Sequence, residues 1–260
     1  MTLAPDIALA TLKLELIQWL AQVEDAEVLE QIQTLRKQQT QEPAKATPTP
    51  PYYEEKSSYT VADIQAIADK FPANKAWTYQ DLQTYFPQNL KIKVEILNNQ
   101  LLIMPSPSFI HQKISNKLSS RMTYFIEQHE LGELLTAPMD VWFDDDNVEQ
   151  PDILFIAVSR YEIIQENVIK GSPTLVVEIM SPANKKKERQ AKHDLYEKHG
   201  VAEYWTIYPK KRTVKVEVLE EGKYKIFSEG KKKGTIQSAV LQGFEIKIED
   251  LMPDNLYEKK

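Results

Sequence analysis

The chain has 260 residues, 42% of them hydrophobic, and a formal net charge of −6. That length and apolar content suffice for one substantial core with a small appendage. The negative charge argues against a generally basic nucleic-acid binder, and the absence of cysteine excludes disulfides and thiolate metal sites. No apolar run approaches the ~20 residues of a membrane span, and the first residues lack the pattern of a signal peptide. We therefore expect a cytoplasmic protein without a membrane partner.

Residues 1–39 form the first predicted unit, an amphipathic helical segment. Leu12, Leu16 and Leu20 recur at helical spacing, and the apolar stripe breaks once before it resumes. This pattern favours two helices or one bent helix. Because an apolar stripe on so short a unit must be buried, we expect it to pack on the main domain, on a second copy of the chain or on another protein.

Residues 40–58 separate this segment from the rest of the chain. Proline, threonine, alanine and charged residues dominate the stretch, and four prolines lie between Pro43 and Pro51. This composition is typical of a partly extended, poorly ordered linker. The sequence thus predicts a helical segment over 1–39, a Pro-rich linker over 40–58 and a main domain over 59–260.

Two short helices open the predicted main domain. Thr60 (or Ser58) is a suitable N-cap for a helix over 61–71, and Thr78 is suitable for a second helix that ends before Pro87. Neither helix carries an obvious chemical group. We interpret both as packing elements.

A β-hairpin is predicted over residues 91–104. The first strand alternates apolar and polar residues, Asn98-Asn99 can adopt the positive φ of a tight turn, and the second strand returns from Gln100. Glu95 lies on the first strand. From the alternation alone it is a solvent-facing charge.

A long helix is predicted to follow Ser108, which can act as its N-cap. His111 opens this helix and has the ordinary role of a local hydrogen-bonding group. Lys113, Lys117 and Arg121 follow at intervals of four residues on one side of the helix. They form either a solvated face, which we favour, or a row that contacts phosphates.

Residues 131–158 are predicted to form a second hairpin. Leu134–Phe143 is its first strand, Asp144–Asn147 the turn, and Asp152–Val158 its partner. The acidic turn lacks the glycine and the terminal glutamate of an EF-hand loop, so we do not interpret it as a calcium site. Asp140 is a candidate for the outer part of a site.

Two apolar runs, Ile153–Val158 (the second strand of that hairpin) and Leu175–Val177, are short and bounded by Pro, Gly and Ser, as buried strands are. Asp152 precedes the first run and Glu178 follows the second. A carboxylate beside a buried strand is costly unless it is paired, and two on neighbouring strands repel. A divalent cation is one way to resolve this conflict.

A polar, Lys-rich segment over residues 184–199 is long enough for about four helical turns. Lys192, Tyr196 and His199 share one face of that helix, and Gly200 ends it. The helix carries a positive cluster, which is either a solvated face or the place where DNA approaches. The cluster consists of Lys185, Lys186, Lys187, Arg189 and Lys192.

The rest of the chain is predicted to be strands. Residues 202–208 have a strand pattern that ends at Pro209. Apolar and polar residues alternate over residues 211–260, and turns are predicted at Glu221-Gly222 and Glu229-Gly230. This pattern predicts an antiparallel meander. This meander either extends the sheet or provides a dimerisation surface.

The order PD…VEIMSP…K…Y…HGVAEYW resembles the Uma2 family, also known as DUF820, a cyanobacteria-rich branch of the PD-(D/E)XK nuclease superfamily. The upstream stretches TYQDLQTYFP and VEILNNQLLIMPSPSFIHQKI follow the same family order, so the resemblance covers roughly Thr78 to Leu251. It implies an α/β (α+β) restriction-endonuclease-like core with a mixed sheet flanked by helices, here with an N-terminal helical appendage. It also implies a metal-dependent DNA endonuclease that hydrolyses phosphodiester bonds.

The resemblance also implies the site residues. Asp152 and Glu178, with the backbone carbonyl of Ile179, would hold Mg²⁺ or Mn²⁺, because hard cations prefer oxygen ligands. Lys192 would orient a water molecule or stabilise developing negative charge, and Glu95 would complete the site. His111 and Tyr196 would contact these residues and hold them in position without binding the metal ion themselves.

One position departs from the superfamily pattern. That pattern places a lysine two residues after the second acid, where this chain has Met180. Lys192 matches the family's K…Y spacing and is the expected replacement. The departure keeps two other classes of function open: a nuclease-like module that binds nucleic acid or protein without turnover, and a toxin–antitoxin-like protein that interacts through its N-terminal helices. A homodimer would suit two cuts on a duplex.

Overall fold

The structure is a computed structural model, which describes residues 58–87, 92–181 and 185–252, with the isolated positions 23, 25, 28, 56 and 90. The chain divides into two units, residues 1–48 and 49–260, and every element below belongs to the second unit. The predicted helical segment 1–39 and linker 40–58 lie outside the described residues except at isolated positions, so both stay predictions.

Five α-helices and thirteen strands are present in the described residues. The helices are α1 (Val61–Ala68), α2 (Tyr79–Tyr85), α3 (Phe109–Gln128), α4 (Lys186–Lys198) and α5 (Ile248–Leu251). The first seven strands are β1 (Lys93–Leu97), β2 (Gln100–Met104), β3 (Gly132–Thr136), β4 (Val141–Asp144), β5 (Asn147–Glu149), β6 (Ile153–Ala157) and β7 (Ile169–Lys170). The others are β8 (Leu175–Ile179), β9 (Glu203–Tyr208), β10 (Thr213–Glu220), β11 (Lys223–Lys231), β12 (Thr235–Gln237) and β13 (Glu245–Lys247). None of the described helices has both the length and the apolar character needed to cross a membrane.

The larger sheet has six strands in the order β11-β10-β9-β8-β6-β3. Its central strands β8 and β9 are parallel and are connected through α4, whereas the other neighbours are antiparallel. α3 covers one face, where Leu118 belongs to the same core cluster as Val177 and Trp205. α4 covers the opposite face, where Leu195 packs in a cluster with Val176. Alternation along β8 therefore directs even-numbered side chains towards α4.

The smaller sheet has five strands in the order β2-β1-β5-β4-β7. The helices α1 and α2 pack with it through a core that includes Ile64, Trp77 and Ile96. Leu97 at the end of β1 belongs to the core beneath α4, so the two sheets share a hydrophobic contact. This contact brings β1 close to β8 and α4.

Local signals in the sequence account for several of these boundaries. Thr60 and Thr78 both form capping boxes, with Asp63 and Asp81 as the returning acids. Asn98 and Asn99, at φ of 50° and 59°, make the predicted turn between β1 and β2. The two helices predicted at the start of the main domain, the first hairpin and the long helix after Ser108 are thus confirmed.

The predicted pairing of the strand from Leu134 with Asp152–Val158 is confirmed as far as Thr136, but the prediction of one continuous strand to Phe143 is wrong. β3 ends at Thr136 and pairs with β6 in the six-stranded sheet, whereas β4 lies in the other sheet and pairs with β5. Pro138 lies between β3 and β4, and proline cannot donate a ladder hydrogen bond, so the chain leaves one sheet there and enters the other. The acidic turn is confirmed as a turn, but it joins β4 to β5.

The C-terminal meander extends the six-stranded sheet through β10 and β11, as one of the two predictions had it. The turn predicted at Glu229-Gly230 is wrong, because both residues lie within β11. A Cβ atom at Gly230 would lie 2.7 Å from Cδ1 of Ile248. A side chain at this position would therefore require Ile248 of α5 to shift.

We expect Gly132→Ala to destabilise the fold far more than Gly222→Ala does. Gly132 has a φ of +145° and pairs with β6, and a Cβ atom there would lie 2.1 Å from the carbonyl oxygen of Ile156. Gly222 has a φ of +76° with nothing within 4 Å of its Cβ position. Chemical denaturation should give losses in the free energy of unfolding of roughly 3 kcal/mol or more and about 1 kcal/mol respectively. Equal losses would contradict this strand register.

Candidate active site

Asp152 and Glu178 lie together because β6 and β8 are antiparallel neighbours. Asp152 immediately precedes β6 and Glu178 is near the end of β8, and the register pairs Ile153 with Val177. The backbone N–H of Ile179 donates a hydrogen bond of 2.7 Å to Oδ2 of Asp152. The predicted proximity of the two acids is therefore present in the fold.

Alternation along β8 directs Glu178 towards α4. There Tyr196 donates a hydrogen bond of 2.7 Å to Oε1 of Glu178, and Lys192 donates one of 3.2 Å to the same oxygen. Lys192 and Tyr196 are one turn apart on α4, so both reach the same carboxylate. Their predicted common face is the buried face of the helix.

The ammonium group of Lys192 is surrounded by three carboxylates. It lies 2.8 Å from an oxygen of Glu95, 2.7 Å from Oε2 of Glu149 and 3.2 Å from Oε1 of Glu178. Its side chain is 7% exposed, and Glu95 and Glu149 are fully buried. The solvated-face interpretation is therefore wrong for Lys192, as is the solvent-facing interpretation of Glu95.

Lys93 supplies the second ammonium group of this cluster. It lies 3.2 Å from Oε1 of Glu95 and 3.6 Å from Oδ1 of Asp152, and its side chain is 20% exposed. The prediction did not single out Lys93 or Glu149. Lys93 shares a strand face with Glu95, two residues away, and Glu149 comes just before the Pro151-Asp152 pair. These positions in the sequence indicate a shared site only once β1 is known to pair with β5.

Outer residues hold the acids in position. His111, in the first turn of α3, places Nε2 3.0 Å from Oδ2 of Asp152. The backbone N–H of Gln150 donates to Oε1 of Glu95 at 2.9 Å, and its side-chain amide donates to Asp140 at 2.7 Å. Asp140 therefore reaches the cluster only through Gln150, in the outer position predicted for it.

The two lysines decide which of the acids are ionised. Burial opposes ionisation of Glu95, but the ammonium groups of Lys192 and Lys93 outweigh it and lower the pKa of Glu95 to about 2. Burial likewise opposes ionisation of Asp152, and Lys93 and the hydrogen bond from His111 lower its pKa to about 2. Glu149 behaves in the opposite way, since burial and the neighbouring charge of Glu95 raise its pKa well above the ordinary value.

An open cleft of about 520 Å³ gives access to one side of the cluster. Asp152, Glu178, Ile179 and the two lysines contribute to its wall. The rest of the wall comes from the loop between β2 and α3, the start of α3 and the segment after β3. Glu95 and Glu149 are not part of this wall, so the cleft exposes the carboxylates of Asp152, just before β6, and of Glu178 on β8.

The donor set fits a hard divalent cation at the cleft. Four buried carboxylates face two ammonium groups, so full ionisation would leave two uncompensated negative charges, the charge that one divalent cation neutralises. Oε1 of Glu149 is buried without a hydrogen-bond partner, whereas Oε2 of Glu149 and Oε2 of Glu95 lie within 2.8 Å of the Lys192 ammonium group. In the described residues no three acid or histidine side chains already converge as a metal-binding group. Mg²⁺ does not require one, because it commonly binds through one or two carboxylates and keeps several waters.

We expect Glu149→Gln and Glu95→Gln to change stability in opposite directions in metal-free buffer. A raised pKa means that folded Glu149 holds a proton that the unfolded chain releases above its ordinary pKa of 4.5. The wild type therefore loses stability as the pH rises above 4.5, by up to roughly 1.4 kcal/mol per pH unit, and Glu149→Gln avoids this loss.

Glu95→Gln is the matched control, because the lowered pKa of Glu95 contributes stability above pH 4.5. That variant should be less stable than the wild type at neutral pH, and the deficit should shrink as the pH falls from 4.5 towards 2. Denaturant unfolding of both variants across pH measures the difference. Parallel profiles would contradict the opposite charge states of the two glutamates.

Comparison with known proteins agrees with this fold. Residues 78–249 match the model of the Uma2 family, which is described as "Putative restriction endonuclease". No curated protein matches the chain. The chain is similar to a solved structure from Anabaena variabilis described as "a putative nuclease belonging to DUF820", with 20% sequence identity and a TM-score of 0.51. That similarity covers 61% of this chain and 88% of the Anabaena chain, and it confirms the predicted restriction-endonuclease-like fold. Since the family model spans more than half of the chain, the protein belongs to the Uma2 family.

Proposed function

We propose that this protein is a metal-dependent endonuclease that hydrolyses phosphodiester bonds in DNA. The observation that carries the proposal is the pair of carboxylates, Asp152 and Glu178, held side by side at the wall of an open cleft. Membership of a family described as restriction endonucleases supports a nuclease. The two lysines beside the acids support a substrate that carries negative charge.

Asp152, Glu178 and the backbone carbonyl of Ile179 are the groups that would hold Mg²⁺ or Mn²⁺. When bound, the ion supplies positive charge to the phosphate and makes a nearby water molecule more acidic. In the reaction the oxygen of water forms a bond to phosphorus and one P–O ester bond breaks. One DNA end then carries the phosphate, and the other end takes a proton as a hydroxyl group.

Other side chains keep the two acids in position. His111 and the backbone N–H of Ile179 contact Oδ2 of Asp152, which fixes the orientation of that carboxylate. Tyr196 and Lys192 do the same for Glu178. Such preorganisation matters because a displacement of about 1 Å at a reacting group can cost 100-fold in rate.

The superfamily pattern has a lysine where this chain has Met180. In this proposal Lys192, on α4, brings an ammonium group to the site instead. The ammonium group of Lys192 reaches Glu178 within 3.2 Å, close enough to act in the site. Because three carboxylates surround it, we assign Lys192 to the placement of Glu95 and Glu178. Direct contact of Lys192 with a water molecule stays a prediction, as do the homodimer, the partner of the N-terminal helices and the cytoplasmic location.

Replacing either Asp152 or Glu178 by its uncharged amide should nearly abolish cleavage. We expect Asp152→Asn and Glu178→Gln to lower the rate of plasmid nicking in Mg²⁺ or Mn²⁺ by about 100-fold or more, because each removes a charged oxygen donor from the cleft. Asp145→Asn, at an exposed position in the turn between β4 and β5, is the control and should cleave at the wild-type rate. Thermal melting checks that all three variants are folded.

Two outcomes would overturn this assignment. Full activity in either acid variant would show that the acids are not the site, and wild-type cleavage in excess EDTA would show that no metal is needed. A wild type that binds DNA without cutting it under any metal would favour the second candidate, a nuclease-like module without turnover. The methionine at position 180 is the feature that favours that candidate.

A further inference from the structure

The two lysines of the buried cluster differ in how much of their ammonium group is available. Lys192 is 7% exposed at its side chain and lies within 3.2 Å of three carboxylates. Lys93 is 20% exposed, and both lysines take part in the wall of the cleft. An ammonium group has three N–H donors and accepts nothing. The question is therefore which lysine has donors left for a ligand.

Lys93 has donors left. Its contact with Glu95 is an ion pair of 3.2 Å, and its distance of 3.6 Å from Oδ1 of Asp152 is too long for a hydrogen bond. Among the described residues, no hydrogen bond from the Lys93 ammonium group to a protein acceptor is present, whereas Lys192 donates to both Glu95 and Glu178. The cleft beside Lys93 is thus the place where its N–H groups can be satisfied.

The position of Lys93 also suits a phosphate. It lies on the Asp152 side of the site, at the wall where the carboxylates of Asp152 and Glu178 are accessible. A lysine is a compact point charge that pairs well with phosphate oxygens. Within the cleft wall Lys192 is the other lysine, and its charge is already matched by carboxylates.

We propose that Lys93 is a catalytic residue whose ammonium group contacts a non-bridging oxygen of the phosphate to be cleaved. This inference rests on the proposed nuclease function. It assigns the ammonium group that contacts the substrate to Lys93 on β1 instead of Lys192 on α4. As the bond from water to phosphorus forms and the ester bond breaks, negative charge grows on the non-bridging oxygens, and Lys93 stabilises it. Lys192 remains with the glutamates throughout.

The test compares Lys93→Met and Lys93→Arg with Lys75→Met in the full chain. Lys75 is a matched control because its side chain is also 20% exposed and is ion-paired, to Asp81 at 2.9 Å, outside the cleft. Two quantities are measured: the single-turnover cleavage rate in Mg²⁺, and the salt dependence of binding to a fluorescent DNA duplex in Ca²⁺. Thermal melting of each variant reports folding.

Lys93→Met should lower the cleavage rate by about 100-fold. It should also reduce the slope of log affinity against log salt concentration by about 1, because one phosphate contact is lost. Lys93→Arg should restore the slope and part of the rate, since it keeps the charge. Lys75→Met should leave both quantities at the wild-type values.

Several results would overturn the inference. An unchanged rate and salt slope in Lys93→Met would remove Lys93 from the substrate contact. A lower rate with an unchanged slope and a lower melting temperature would mean that Lys93 only supports the fold. If Lys93→Met behaves as wild type while Asp152→Asn and Glu178→Gln are inactive, this inference fails and the nuclease function stands. A wild type that neither binds nor cuts DNA would remove both.

Discussion

Ion pairing between two lysines and four buried acids is the interaction on which the rest of the candidate site depends. Without Lys192, three carboxylates would lie close together in the interior, and breaking a buried pair of this kind costs roughly 3–5 kcal/mol. Even with both lysines the negative charge is in excess, and the raised pKa of Glu149 absorbs part of it. The two lysines therefore stabilise the buried acids, and the remaining negative charge is the feature from which we propose a cation site. A catalytic site for a divalent cation needs both stabilised acids and an excess of negative charge.

The architecture explains how residues far apart in sequence meet in this cluster. Glu95 and Glu149 come from the five-stranded sheet, Asp152 and Glu178 from the six-stranded sheet, and Lys192 from the helix that connects the parallel strands β8 and β9. The hydrophobic contact of Leu97 with the core beneath α4 holds the two sheets together at the same place. The division of roles that we propose for the lysines rests on this geometry, because the side chain of Lys192 is 7% exposed and that of Lys93 is 20% exposed.

The site could be predicted from the sequence where a charged residue interrupts an apolar pattern. Asp152 and Glu178 stand beside buried strands, and a bare carboxylate there needs an explanation. Lys93 and Glu149 gave no such signal, since a lysine on an alternating strand usually faces solvent. Their roles depend on the pairing of β1 with β5, which no local pattern encodes. The wrong prediction of one continuous strand over Leu134–Phe143 has the same origin, because Pro138 moves the chain between sheets and local alternation cannot reveal which sheet a strand joins.

Locating a bound ion would test the central claim, that the excess charge of the cluster is a divalent-cation site at the cleft. Crystals grown with Mn²⁺ should give one anomalous peak per chain in this region, about 2.1 Å from carboxylate oxygens of both Asp152 and Glu178. Crystals of Glu178→Gln under the same conditions should lack the peak. A peak bound elsewhere in the chain, or no peak at Mn²⁺ concentrations that support DNA cleavage, would contradict the account.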